Sequence, residues 1–180
     1  MTEAEAVIDF WLHETPPEKR FARDAALDAA IARRFGSLHR SLSQAVPEEW
    51  TADARSMLGA IIVLDQFSRN LFRDDPRAFA QDSAALTLAW QMVVKGWDMA
   101  LSALERQFVY LPFEHAEDLA AADQSVALFA ALEDAEALDY ARRHHAVIVK
   151  FGRYPRRNKA LGRESTKDEV KFLADHPEGF

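Results

Sequence analysis

The chain has 180 residues, 49% of them hydrophobic, no cysteine, and a formal charge of −7 from 22 basic against 29 acidic side chains. A chain of this length is expected to form a single domain, residues 1–180, and to bury roughly 70% of the surface its unfolded form exposes. The lack of cysteine excludes a disulfide scaffold, a thiolate zinc site and a cysteine nucleophile, and the acidic balance argues against a general polyanion binder.

Helical periodicity runs through the sequence. Val7, Phe10 and Trp11 form a first apolar stripe, opened by Glu3 and Glu5 and ended by Pro16-Pro17. Phe21, Ala25, Leu27, Ile31 and Phe35 recur at three- and four-residue steps, with Gly36 as the expected stop. Leu38 and Leu42 continue for a turn or two before Pro47. Thr51 is the expected N-cap of a strongly apolar helix through Met57, Ile61, Ile62 and Phe67, which predicts the most buried helix of the fold. Asp75-Pro76 has the form of a cap followed by proline at the first helical position, ahead of Phe79, Leu86 and Trp90 and a stop at Gly96.

The next segment holds Leu101, Leu104, Phe108 and Leu111, and Pro112 is expected to interrupt it. Val126, Phe129 and Leu132 mark another helix, and Leu138, Ala141, His145 and Ile148 the one after. A loop from Gly152 to Gly162 follows, and Thr166 with Glu169 has capping-box spacing ahead of Val170, Phe172 and Leu173. Nothing alternates with period two for long enough to make a strand. The fold class is therefore all-α, with seven to nine helices in short-looped antiparallel hairpins. The apolar runs Met57–Leu64 and Ala84–Val94 are too short to span a bilayer. The start, Met1 to Glu5, lacks the charge and apolar stretch of a signal peptide, so a soluble cytoplasmic protein with no membrane partner is expected.

Polar chemistry collects in three places. Asp65 and Arg69 have the spacing of a helical ion pair, with Asn70 as a C-cap, and the same residues could hold a charged pair at the mouth of a pocket. Glu114 and His115 follow the Pro112 break and form a candidate acid–base couple, although Glu114, Glu117 and Asp118 could equally serve the next helix dipole. From Arg142 to Arg163 there are eight basic residues and no acid, whereas the stretch from Glu105 to Asp139 holds nine acids against Arg106. Acidic and basic helices could pair across their faces. Alternatively, Arg153, Arg156 and Arg157 converge on an anion such as phosphate or carboxylate.

Other chemistries have less support. Phe151 and Tyr154 interleave with the arginines, but the net charge and the lack of a recognised module argue against nucleic acid. No Glu-x-x-His or His-Glu-x-x-His pattern points to a metal, and no phosphate loop or dinucleotide fingerprint to a cofactor, so none of either is expected. His145 is expected to be a satisfied, partly buried side chain.

Three blocks in order, Leu64-Asp65-Gln66-Phe67-Ser68-Arg69-Asn70, Glu105-Arg106-Gln107-Phe108-Val109-Tyr110-Leu111-Pro112-Phe113-Glu114-His115 and Phe151-Gly152-Arg153-Tyr154-Pro155-Arg156-Arg157-Asn158, resemble the uncharacterised bacterial domain-of-unknown-function family 924. Val7-Ile8-Asp9-Phe10-Trp11 and Leu161-Gly162-Arg163-Glu164-Ser165-Thr166 fit it too, so the resemblance covers essentially the whole chain. It implies a tetratricopeptide-like fold of helical hairpins and no particular activity. Members usually carry Pro-His-Arg-Asn where this chain has Pro155-Arg156-Arg157-Asn158, which disfavours a histidine-dependent mechanism in that loop.

The expected function is binding of a small anionic ligand or an acidic peptide end. Arg153 and Arg157 would meet the anion, Asn158 and Asn70 would supply neutral hydrogen bonds, and Asp65 and Glu114 would orient the arginines. His115 would be a proton carrier. A protein-binding scaffold and an enzyme using Glu114 and His115 remain as alternatives.

Overall fold

The structure, a computed structural model, describes residues 2–177, and every regular element among them is helical. The all-α expectation therefore holds. The chain divides into two compact units, residues 2–73 with 77–112 and residues 74–76 with 113–177.

The first unit contains α1 (Glu3–Asp9), α2 (Pro17–Arg20), α3 (Ala25–Gln44), α4 (Ala54–Ile61), α5 (Ser68–Leu71), α6 (Asp82–Val94) and most of α7 (Ala103–His115). Two stretches widen into π-helix: Phe10–Glu14, which extends α1, and Ile62–Phe67, which joins α4 to α5. The rod from Ala54 to Leu71 is the apolar helix the sequence points to, with Met57, Leu58, Ile61, Ile62 and Phe67 fully enclosed. It approaches α1 closely because Gly59 has no side chain: a Cβ there would lie 3.0 Å from Ala4 Cα and Cβ. Around it an aromatic core forms. Trp11 meets Phe67 edge-on with centroids 5.5 Å apart, and Phe10 and Phe35 pack tilted at 5.1 Å.

Several local expectations change. Gly36 does not stop its helix, because α3 runs on to Gln44 and buries His39 and Leu42 in register with Ile31 and Phe35. The N-cap of α4 is Asp53, whose carboxylate accepts from the Arg55 and Ser56 amides, and Thr51 instead ends a 3-10 turn at Glu48–Trp50. Pro76 opens another 3-10 turn, and α6 begins at Asp82. Pro112 lies inside α7 and does not break it, although it leaves the Phe108 carbonyl without the usual helical donor. Phe21 is 64% exposed and belongs to the segment between α2 and α3.

The second unit holds the last residues of α7, then α8 (Leu119–Ala130), α9 (Ala135–Phe151) and α10 (Lys167–Asp175). Residues 131–134 turn α8 back on α9, and the two pack along each other as an antiparallel hairpin. Asp118 and Asp134 cap the two helices through their side chains. The core is Ala122, Val147, Ile148 and Tyr154, with Phe151 and Phe172 against it. Gly152 takes a left-handed φ of 68° where α9 ends, which an L side chain would resist, and so turns the chain into the arginine-rich loop. Thr166 and Glu169 form the expected capping box at the start of α10.

Candidate functional site

In the second unit the arginine-rich loop is tied down residue by residue. Arg153 forks onto Glu169, with Nε and Nη2 at 2.7 and 2.9 Å from the two carboxylate oxygens, and also donates to the Glu164 carbonyl at 2.9 Å. Glu169 is 2% exposed and takes further hydrogen bonds from the Thr166 amide and the Asn158 side chain. The Arg153 fork, against the opposing effect of burial, pulls its pKa down to about 2. Arg163 forks onto Glu117 at 2.6 and 2.8 Å and donates to Asn158 Oδ1 at 2.9 Å. Burial raises the Glu117 carboxyl, but Arg163, the Tyr154 amide and the Arg157 charge together hold it below its ordinary value. Arg156 donates to the His176 carbonyl.

Tyr154 is the centre of a second group. Its amide donates to Glu117 Oε1 at 2.8 Å and its hydroxyl donates to the Glu114 carbonyl, so the ring is fixed at both ends. Arg157 lies over that ring, its guanidinium carbon 4.8 Å from the centroid, and donates to the His115 carbonyl at 2.7 Å. His144, from α9, meets the same ring edge-on with centroids 5.6 Å apart. Its Nδ1 lies 2.9 Å from the Tyr140 carbonyl and 3.3 Å from Glu114 Oε1. A carbonyl can only accept, so Nδ1 carries the hydrogen. Glu114 is 5% exposed, while the His144 side chain is 20% exposed. A guanidinium and an imidazole thus flank one tyrosine, with an enclosed carboxylate against the imidazole.

The first block of candidates lies in the first unit. Asp65, 1% exposed on the Ile62–Phe67 stretch, accepts from Gln66 at 2.6 Å and pairs with Arg69 at 3.1 Å, as the spacing predicts. Arg69 reaches Asp82 at 3.1 Å as well. Asn70 is inside α5 and is no C-cap; it donates to Asp28 on α3, whose carboxylate also takes the Arg73 fork at 2.5 and 2.8 Å. These residues bind helices of the first unit to one another.

Of the site residues the sequence points to, Glu114, His115, Arg153, Arg157 and Asn158 lie on the second unit and Asp65, Arg69 and Asn70 on the first; His144 and Glu169 are not among them. His144 carries a signal in hindsight. It lies four residues after Tyr140 and three before Val147, at the edge of the buried stripe of α9, where a polar side chain needs a partner. His145, by contrast, pairs with Asp123 of α8 at 2.7 Å and is partly buried, as expected. Among the described residues no three His, Asp or Glu side chains converge as a metal site, and no helix is long and apolar enough to cross a membrane.

The chain matches the family model described as bacterial protein of unknown function (DUF924) over residues 7–177, and it belongs to that family. A solved structure of a protein of unknown function from Agrobacterium tumefaciens is similar to it, with a TM-score of 0.90 and 37% identity over 96% of this chain and 97% of that one. No curated protein matches.

Proposed function

We propose that this protein binds a small anionic group, the carboxylate or phosphate of a metabolite or a peptide end, and that Arg157 and His144 receive it. One observation carries the reading: both groups are held against the same fixed ring, Tyr154, while each remains partly exposed. A planar guanidinium set in place by a ring and a carbonyl is preorganised for an oxyanion and loses little side-chain freedom on binding. The reading is narrower than the sequence suggests. Arg153 and Asn158 serve the buried Glu169, so they support the loop from behind.

A second reading rests on the pairing of Glu114 with His144. A buried carboxylate that orients an imidazole through Nδ1 is the arrangement general acid–base catalysis uses. In that case the anion bound at Arg157 is a substrate, and His144 exchanges its proton.

The test is a thermal-shift screen of carboxylated and phosphorylated metabolites, nucleotides, short RNA and divalent metals, with Arg157→Ala and His144→Ala as controls. A ligand at 100 times its dissociation constant adds about 2.7 kcal/mol, an easily read shift. The expected result is a stabilising carboxylate or phosphate whose effect is lost in both controls. Stabilisation retained in both controls, or a panel without any hit, contradicts the proposal and favours a tetratricopeptide-like protein scaffold or a purely structural role for these residues.

A further inference from the structure

Between α6 and α7 the chain makes a short 3-10 turn, Trp97–Ala100, which is anchored on both sides of its tip. Asp98 is buried and accepts the Tyr110 hydroxyl at 2.6 Å, and the Leu101 amide returns to the Asp98 carbonyl at 3.0 Å. Ahead of them Lys95 lies over the Trp97 ring, 4.1 Å from its centroid. The chain around Met99 is therefore held, yet the Met99 residue itself is 69% exposed.

This exposure sets Met99 apart. Met57 and Met92 are fully enclosed in the same unit, where methionine serves as adaptable apolar filling. The Met99 sulfur instead meets the guanidinium of Arg106 on α7, with Nη1 3.7 Å from Sδ. A thioether is a weak acceptor, so a charged donor meets a partner that returns little. Other guanidiniums of this unit end on carboxylates: Arg55 on Glu5 and Glu105, Arg73 on Asp28. A sulfoxide oxygen in place of the bare sulfur is a strong acceptor, and a hydrogen bond from a charged donor is roughly twice as strong as a neutral one.

We propose that Met99 is a site of oxidation by peroxide, and that Arg106 holds the sulfoxide that forms. The sulfur lone pair bonds to one peroxide oxygen as the O–O bond breaks. The other oxygen leaves with the electron pair of that bond, takes the proton left on the first, and departs as water. Sulfur thus gives up two electrons and the peroxide gains them, a step that sulfoxide reductases reverse. In a core the polar product is disruptive. Here the new oxygen stands in solvent beside a guanidinium, within reach of Nη1 by rotation of an exposed side chain. Oxidation therefore replaces a weak contact between the turn and α7 with a charge-assisted one. The site lies in the unit that does not carry Arg157, so it stands apart from the anion reading.

Treatment of the folded protein with hydrogen peroxide tests this, read by peptide mass spectrometry and by thermal melting. Trypsin cuts at Lys95 and so separates Met92 from Met99. In the wild type Met99 is expected to gain one oxygen at least tenfold faster than Met57 or Met92. The treatment is expected to raise Tm by about 1–3 °C, and the rise to vanish in Met99→Leu and Arg106→Gln. Met99→Gln, whose amide oxygen imitates the sulfoxide, is expected to melt above Met99→Leu with no oxidant present. That comparison leaves Arg106 untouched and decides the matter even if Arg106→Gln does not fold. Comparable oxidation of Met57 or Met92, an unchanged or lower Tm after treatment, a rise that survives in Arg106→Gln, or equal melting of Met99→Gln and Met99→Leu overturns the proposal.

Discussion

Glu114 Oε1 stands 3.3 Å from His144 Nδ1, so the end of α7 and the middle of α9 meet through a buried carboxylate and a partly exposed imidazole. The couple links two helices of the second unit across a long stretch of sequence. Glu114→Leu removes this carboxylate acceptor from beside the imidazole N–H, at an expected cost of about 1–3 kcal/mol. Glu114→Gln keeps an oxygen in place and is expected to cost less than half as much. Urea denaturation of the two variants checks the order, and equal stabilities would show that the contact carries no weight.

Glu169 makes the arginine loop sensitive to acid. Its folded pKa of about 2 lies below the ordinary carboxylate value, so the pair with Arg153 contributes stability that is complete above about pH 4.5. That contribution is lost as pH falls from there towards 2. The gap in melting temperature between wild type and Glu169→Gln is therefore expected to be largest near neutrality and to close through that window. A gap that stays constant down to pH 2 would contradict the assignment.

Two glycines in helices should respond in opposite senses to alanine. At Gly59 a methyl group meets Ala4 at 3.0 Å, backbone included, so Gly59→Ala is expected to cost about 1–3 kcal/mol by forcing α1 and α4 apart. At Gly36 nothing lies within 4 Å of the added methyl, and alanine is expected to stabilise α3 by about 0.5–1 kcal/mol. Chemical denaturation of the two single variants is sufficient. A Gly59→Ala protein as stable as wild type would refute the packing described for α1 and α4.

His39 gives a pH dependence of its own. The Ser68 hydroxyl gives its one hydrogen to the Leu64 carbonyl at 2.6 Å, so His39 Nε2, 2.7 Å away, must be the donor to Ser68, and Nδ1 is left to accept from Ser43. Burial lowers the pKa of this imidazole, which is held neutral. Its contribution is complete above the unfolded value of about 6.5 and is lost as pH falls through the lower folded value. Wild type is expected to lose more stability between pH 7 and 5 than His39→Gln, whose amide can still donate to Ser68. Parallel profiles would show that His39 does not titrate with unfolding.

Local signals were legible in the sequence, and long-range ones were not. The capping box at Thr166 and Glu169 is a three-residue pattern, and it stands where the pattern puts it. The Asp65–Arg69 pair follows from the four-residue step alone. Gly36 misleads because its propensity cost of about 1 kcal/mol is small beside the burial of His39 and Leu42 further along the same face. The π-helical stretches at Phe10–Glu14 and Ile62–Phe67 shift the period by one residue, and neither apolar run betrays the shift. For the candidate site, the loop's many arginines were visible, but not which acid each would meet. Arg153 finds Glu169 beyond the loop and Arg163 finds Glu117 before α8, choices made by packing around Tyr154. The imbalance that suggested an anion-binding cluster is thus partly a set of ion pairs whose acidic halves lie elsewhere in the chain.

Arg157 lies against the Tyr154 ring and is held at its other side by the His115 carbonyl. The most direct measurement is the affinity of the best anionic ligand for wild type, Arg157→Lys and Tyr154→Leu by isothermal titration. Lysine preserves the charge but not the fork, and leucine removes the ring beneath it. The expected result is a loss of tenfold or more in each variant, with both proteins still folded by circular dichroism. An Arg157→Lys protein that binds as tightly as wild type would reduce the site to a diffuse positive charge and contradict the account.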